Sequence, residues 1–309
     1  FFRRLVIADN LGMFVDYVYQ AEYFAGVHVI LAIFAFSIQI YCDFSGCMDI
    51  VRGTSECFGI VLGENFRRPY FSQTLPEFWR RWHLSLGAFF REYVFYPVST
   101  SKLFLKLNVK IRDHLGNVIG KVFAASIPIL CVWVLTGLWH GAKWNYIAWG
   151  LYHGVLICMS TLFEEPLAKL TKALRIKTDC ISWEIFRMLR TFILCVIGRL
   201  IFMGQGIRSS IWMIRSMVFD HSKVYNIVDE FSLSGREWRV LIFGCLLLLA
   251  VSIAQEIMER RGSTGDVREW LAKQNIVFKW LVMAAGLAFI AICGVYGSGA
   301  GASFIYEQF

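Results

Sequence analysis

Formal charge is what this 309-residue chain has least of: Asp, Glu, Lys and Arg make up 17% of it, against about 25% in a soluble globular protein. With 57% hydrophobic residues and a mean hydropathy of +0.54, that shortage excludes an ordinary soluble domain and predicts an integral membrane protein. The nine cysteines form no CxxC pair. Zinc and a disulfide framework are therefore not expected, and most of these thiols, lying in apolar runs, read as small hydrophobes. No GxSxG nucleophile setting is present, nor any internal repeat or low-complexity tract, so residues 1–309 read as one bundle. The net charge of +8 is spread between apolar runs instead of gathered in one basic domain. Cytoplasmic loops and anionic lipid account for it, and no nucleic-acid partner is expected. The chain starts Phe1-Phe2-Arg3-Arg4 with neither methionine nor a signal-peptide layout, and is expected to be a fragment.

What is present is a set of long uncharged runs. Residues 122–142 carry no formal charge over 21 positions, enough to cross a hydrocarbon core of ~30 Å at 1.5 Å per residue. His140 lies at the end of that run. An ionisable group there is a functional-site candidate, although in a soluble core a lone histidine is more often a hydrogen-bonded structural residue. A second run, 144–163, follows after very few residues, so the two helices must be antiparallel neighbours with His140 at their turn. Residues 23–42 form an earlier span that Asp43-Phe44-Ser45-Gly46 is expected to stop. Residues 43–64 are too polar for a lipid-facing helix and suit one packed in protein or lining a wet cavity. Later spans are expected at 240–255 and within 280–306, with a weaker apolar segment at 185–205 interrupted by Arg187, Arg190 and Arg199. Arg199 either snorkels, pairs with a carboxylate or binds substrate. Residues 99–121 read as a basic linker and 164–184 as a polar loop. With these and 256–273 on the cytoplasmic side, the spans alternate and His140 approaches the outer side.

Thr74, Pro76 and Glu77 give a helix start with a capping box. Continued at 100° per residue, Trp79, Trp82, His83, Leu86 and Phe90 share one face, while Glu77, Arg80, Arg81, Arg91 and Glu92 lie opposite. An interfacial amphipathic helix, with tryptophans at headgroup level and arginines on phosphate, explains this pattern as well as a ligand site does.

A neutral imidazole in a poorly solvated site is a suitable proton acceptor for a hydroxyl attacking an acyl carbon. His83, Asn145 or a backbone N–H would then polarise the carbonyl. The residues leave rivals open: two histidines can ligate a haem axially, and Asp43, His83, His140 and Arg199 in one bundle suit a proton-coupled transporter.

Residues 40–97, IYCDFSGCMDIVRGTSECFGIVLGENFRRPYFSQTLPEFWRRWHLSLGAFFREYVFYP, and 136–154, TGLWHGAKWNYIAWGLYHG, with the opening RRLVIADNL and closing FIYEQF, closely resemble the membrane-bound O-acyltransferase (MBOAT) family, in particular its bacterial alginate O-acetyltransferase-like branch. The resemblance implies an all-α polytopic bundle with interfacial and re-entrant helices around a funnel. It also implies acyl transfer from a thioester, most plainly acetyl-CoA, to a hydroxyl of a surface or secreted polysaccharide. In such enzymes the histidine of the WHG motif, here His140, is catalytic, and that of FWRRWH, here His83, is the second characteristic residue. Trp79, Trp82, Trp139 and Trp144 would shape the passage, with Asp43, Arg80, Arg81 and Asn145 as further candidates. No bound cofactor is implied. Membrane lipid and an extracytoplasmic protein would be the partners, the bacterial cytoplasmic (inner) membrane the location, and D-alanyl transfer to teichoic acid from a carrier thioester the alternative within the family. Family members carry further N-terminal helices, so residues 1–309 are expected to be the C-terminal two thirds of a longer protein. Pro97-Val98-Ser99-Thr100 and Arg91-Glu92-Tyr93 depart from the alginate-type Leu-Gly-Gly turn and Arg-Asp-Tyr, which bears on the acceptor.

Overall fold

A computed structural model describes residues 1–20, 26–204, 206–220, 233–263 and 266–296. Its longer helices, in chain order, are α1 (Asp9–Gln20), α2 (Gly26–Cys57), α3 (Leu75–Trp79), α4 (Leu84–Phe90), α5 (Tyr96–Thr100), α6 (Lys102–Leu115), α7 (Asn117–Trp139), α8 (Trp144–Leu162), α9 (Glu164–Ala173), α10 (Ile181–Met203), α11 (Ile207–Phe219), α12 (Gly235–Arg260), α13 (Val267–Ala272) and α14 (Ile276–Cys293). The described residues contain no strand, only an isolated bridge between Phe66 and Trp82. The all-α expectation therefore holds. Four helices are long and apolar enough to cross a membrane, α2, α12, α14 and residues 119–139 of α7; α8 and α9, bent by 57°, add a fifth if taken as one broken span.

The chain divides into two compact units, Phe1–Gly63 with Arg215–Phe309, and Glu64–Ile214. In the first, a π-helical turn at Phe2–Ala8 runs into α1, and both pack on α2. Here α2 departs from expectation: it does not stop at Asp43 but runs on to Cys57, 32 residues in all. The charged groups of this stretch are paired along the helix, although the buried Ser45 hydroxyl has no partner among the described residues. Asp43 is buried with Arg4 Nε 3.7 Å from its carboxylate, Asp49 pairs with Arg3 at 3.0 Å, and the Thr54 and Ser55 hydroxyls donate to the carbonyls of Ile50 and Val51. A satisfied polar group gives a helix no reason to end. The last expected span is observed as α14, displaced toward the N-terminus; residues 297–309, with the closing FIYEQF motif, lie outside the described residues, as do 21–25 at the start of the first span. None of α14's residues is buried, as suits a helix whose every face meets lipid.

In the second unit, α7 and α8 form the antiparallel pair the sequence required. Glycine makes their approach possible: a Cβ at Gly137 would strike the Tyr146 carbonyl, and one at Gly150 the Trp133 carbonyl. Such close backbone packing is how helices associate where no hydrophobic effect drives them together. Helix α10 packs on the other side of α8. Two expected loops are helical instead. The basic linker is α6, whose Lys102, Lys106 and Lys110 recur at four-residue spacing on its exposed side while Phe104 stacks on Phe123 at 5.5 Å. The polar loop begins with α9, whose Glu164 and Glu165 complement the positive helix start.

The helix expected from Thr74 through Phe90 is broken into α3 and α4. Thr74 does cap α3 by accepting from the Glu77 N–H at 3.2 Å, but Glu77 reaches back to the Gln73 N–H at 2.8 Å, one residue before the cap. The break spans Arg80–His83, because Arg67 N–H donates to the Arg81 carbonyl at 2.9 Å and Leu84 N–H to the Asn65 carbonyl at 3.1 Å. Pairing with the 64–68 segment takes backbone groups that a continuous helix would use.

Candidate active site

His140 is the first residue after α7, whose last turn it closes by donating its N–H to the Gly137 carbonyl at 3.1 Å. Gly141 follows at φ +135°, a backbone region that other residues rarely adopt, and the chain turns into α8 at Trp144. The His140 ring is buried among Trp149 at 5.2 Å, Phe202 at 5.0 Å and Tyr146 at 6.3 Å, with Trp139 at 4.8 Å. Trp149 comes from α8 and Phe202 from α10, so three helices build this box.

His83 stands at the other side of Trp139, ring to ring at 6.1 Å. It occupies the N-cap of α4 in the left-handed region, φ 48° and ψ 59°, which is uncommon for a residue with a Cβ. Its Nδ1 lies 3.3 Å from Asn65 Oδ1. That oxygen also accepts from the Ser85 N–H at 3.1 Å and the Ser85 hydroxyl at 2.7 Å. A backbone N–H can only donate, so the Asn65 atom is oxygen and the proton of the His83 contact belongs to Nδ1. The neutral ring then carries its lone pair on Nε2.

Both imidazoles lie outside the membrane-spanning helices, and burial lowers each from 6.5 to about 4. For His140, the positive charge that a protonated His83 would carry is a smaller contributor to the same shift. Near neutral pH both are uncharged proton acceptors, electrostatically aware of each other.

The remaining sequence candidates separate. Trp79 and Trp82 face inward. Trp79 packs on Trp133 at 4.7 Å and Trp149 at 5.6 Å, with its indole N–H buried and unpartnered, while Trp82 stacks on Phe78 at 5.6 Å. Trp139 joins the two histidines. Trp144, by contrast, is 74% exposed at the start of α8 and does not line the box; an interfacial position suits its amphipathic ring. Asn145 is buried, but both its amide hydrogens are engaged, with the Phe202 carbonyl at 2.8 Å and the Gly204 carbonyl at 3.0 Å. It ties the end of α10 to α8 and has no hydrogen left for an acyl carbonyl. Arg80 is exposed, and Arg81 pairs with Glu77 at 2.8 Å. Asp43 belongs to the other unit, next to Arg4. Among the described residues, no group of His, Cys, Asp and Glu is arranged to hold a metal.

Sequence reasoning did not single out Asn65 or His153. Asn65 sits in the LGENFRRPY loop, where only its distant partner gives it meaning. His153 is 1% exposed on α8, with its ring 4.9 Å from Trp79 and 5.2 Å from Trp149. Its position thirteen residues after His140, inside an apolar run, was a signal of the same kind as His140 itself.

The model of the membrane-bound O-acyltransferase family, MBOAT, matches residues 5–111, which include His83 and end before His140. A probable alginate O-acetylase of Pseudomonas syringae pv. tomato is 29% identical over 265 residues, 86% of this chain and 46% of the relative. A peptidoglycan O-acetyltransferase of Helicobacter pylori is 28% identical over 218 residues, 70% of this chain and 37% of the relative. A teichoic acid D-alanyltransferase of Bacillus subtilis is 32% identical over 139 residues, 44% of this chain and 32% of the relative. The chain thus spans less than half the length of these relatives. The resemblance drawn from the motifs is supported by independent matches, and with its apolar helices the chain is a multi-pass membrane protein.

Proposed function

We propose that this chain, which carries a membrane-bound O-acyltransferase family domain over residues 5–111, is part of an enzyme that moves an acetyl group from a thioester to a hydroxyl of a surface or secreted polysaccharide. One observation carries the reading: two neutral imidazoles, the buried His140 and the half-buried His83, meet the same Trp139 ring. Neither has to shed a proton at neutral pH before it can accept one.

In this reading His140 takes the proton of the acceptor hydroxyl as its oxygen attacks the thioester carbonyl. The tetrahedral intermediate then collapses, the C–S bond breaks, and the same proton returns to the departing thiolate. Direct transfer is favoured because the sequence has no GxSxG nucleophile setting, and the hydroxyl of Ser85, beside His83, is already given to Asn65 at 2.7 Å. His83, with Nδ1 held by Asn65, offers Nε2 as an acceptor and so orients an O–H or N–H of substrate; polarising a carbonyl would need a second proton that burial opposes. The Trp79 indole N–H is the buried donor available to the acyl oxygen. Acetyl-CoA from the cytoplasm is the proposed donor, the bacterial cytoplasmic membrane the location, and an extracytoplasmic protein the partner that completes delivery. No bound cofactor is required, since the thioester is a co-substrate.

The resemblance to teichoic acid D-alanyltransferases supports a second donor, an aminoacyl thioester on a carrier protein. Membranes holding the intact protein are supplied with labelled acetyl-CoA or with labelled aminoacyl carrier, and label is sought in polymer. Acetyl label in polymer supports the first reading, and aminoacyl label alone the second. Label from neither donor counts against both.

A further inference from the structure

Arg199 of α10 is 93% buried, yet no carboxylate or hydrogen-bond acceptor of the described residues meets its guanidinium, and its Nη1 is without a partner. Two aromatic faces flank it, Trp82 at 5.2 Å and Tyr70 at 5.4 Å. Cation–π attraction offsets only part of the cost of burying a charge.

A second unsatisfied group lies on the helix packed against it. His153 of α8 is 1% exposed with Nδ1 unpartnered. The residue preceding Arg199 is Gly198, where a Cβ would come within 2.5 Å of His153 Nε2. The missing side chain lets α10 settle onto the His153 ring and brings the arginine's backbone alongside. Both helices also supply the His140 box, through Trp149 and Phe202.

We propose that Arg199, with His153 beside it, is the subsite for an anionic oxygen group of substrate, a carboxylate or a phosphate, next to the two reactive histidines. A fixed cation among aromatic rings, with N–H groups unused, is complementary to oxygen carrying charge. The substrate class rests on the acyl-transfer reading above: a phosphate would come from the pantetheine arm of the thioester donor, a carboxylate from an acidic sugar of the acceptor.

The test is a binding measurement, so that it fails separately from that reading. The intact protein in lipid nanodiscs is titrated, by tryptophan fluorescence, with phosphopantetheine against pantetheine, and with methyl glucuronoside against its uncharged amide. The expected result is a preference of at least tenfold for the charged member of one pair, abolished in Arg199→Gln and partly kept in Arg199→Lys. The pair that shows it identifies the source of the anion. Equal affinity within both pairs, or a preference undiminished in Arg199→Gln, overturns the subsite. Should Arg199→Gln fail to fold, the wild-type preference and its weakening in Arg199→Lys decide. A preserved preference in a protein that transfers no acyl group would sink the acyl-transfer reading and leave the subsite standing.

Discussion

Asn65 Oδ1 stands 3.3 Å from His83 Nδ1 and is pinned in that orientation by the Ser85 N–H at 3.1 Å. The contact selects a tautomer and a ring orientation at once, the role a third group plays for the base of a catalytic triad. Asn65→Ala is expected to cost about 1 kcal/mol of positioning, or roughly fivefold in kcat/KM, with Ser85→Ala smaller because its backbone N–H remains. Steady-state kinetics on both variants check the order; an Asn65→Ala enzyme at full rate would contradict the assignment.

The pH dependence follows from the burial of the two rings. A base lowered from 6.5 to about 4 is already deprotonated at pH 6, and its active form is lost only as pH falls through about 4. The acid limb of kcat/KM is therefore expected near pH 4, with a flat profile between about 5.5 and 7.5, roughly one unit either side of the ordinary imidazole value. A limb near 6.5 would mean that water reaches these rings freely in the working enzyme.

How much of this was legible in the sequence depends on the distance over which each signal acts. The tight α7–α8 pair was readable because two uncharged runs separated by Lys143 alone can only fold back on one another, and the Thr74 cap because its partner is three residues away. The break at Arg80–His83 was not readable: a heptad-like spacing of Trp79, Trp82, His83 and Phe90 fits a continuous helix, and only pairing with residues 65–67 overrides it. The same applies to Asp43, whose apparent stop signal is cancelled by Arg4, far from it in sequence. Asn145 looked available for catalysis because its partners, the carbonyls of Phe202 and Gly204, lie nearly sixty residues on. Local patterns thus exposed the elements and His140, while tertiary pairing decided which polar groups remain free.

The structural role of Asn145 has its own test. Removing its side chain leaves the Phe202 and Gly204 carbonyls without their donors, so Asn145→Ala is expected to lower stability by about 1–3 kcal/mol and to loosen Phe202 from the His140 ring. Thermal unfolding in detergent checks the first effect. An unchanged midpoint with strongly reduced activity would restore Asn145 to the chemistry.

Packing of α7 on α8 is equally exposed to a single methyl group. Gly150→Ala places a Cβ against the Trp133 carbonyl and is expected to destabilise by about 1–3 kcal/mol, the usual range for overpacking. The backbone clash leaves no side chain to move aside. A midpoint as high as that of the wild type would show that the helices cross less closely than described.

The most direct measurement is acetyl transfer to polymer by membranes holding the intact protein with His140→Ala, set beside its yield and melting temperature. The account predicts a rate lower by about 10²–10⁴, the contribution of a general base, with insertion and stability close to wild type. Transfer at an undiminished rate by a stably inserted His140→Ala protein would contradict it.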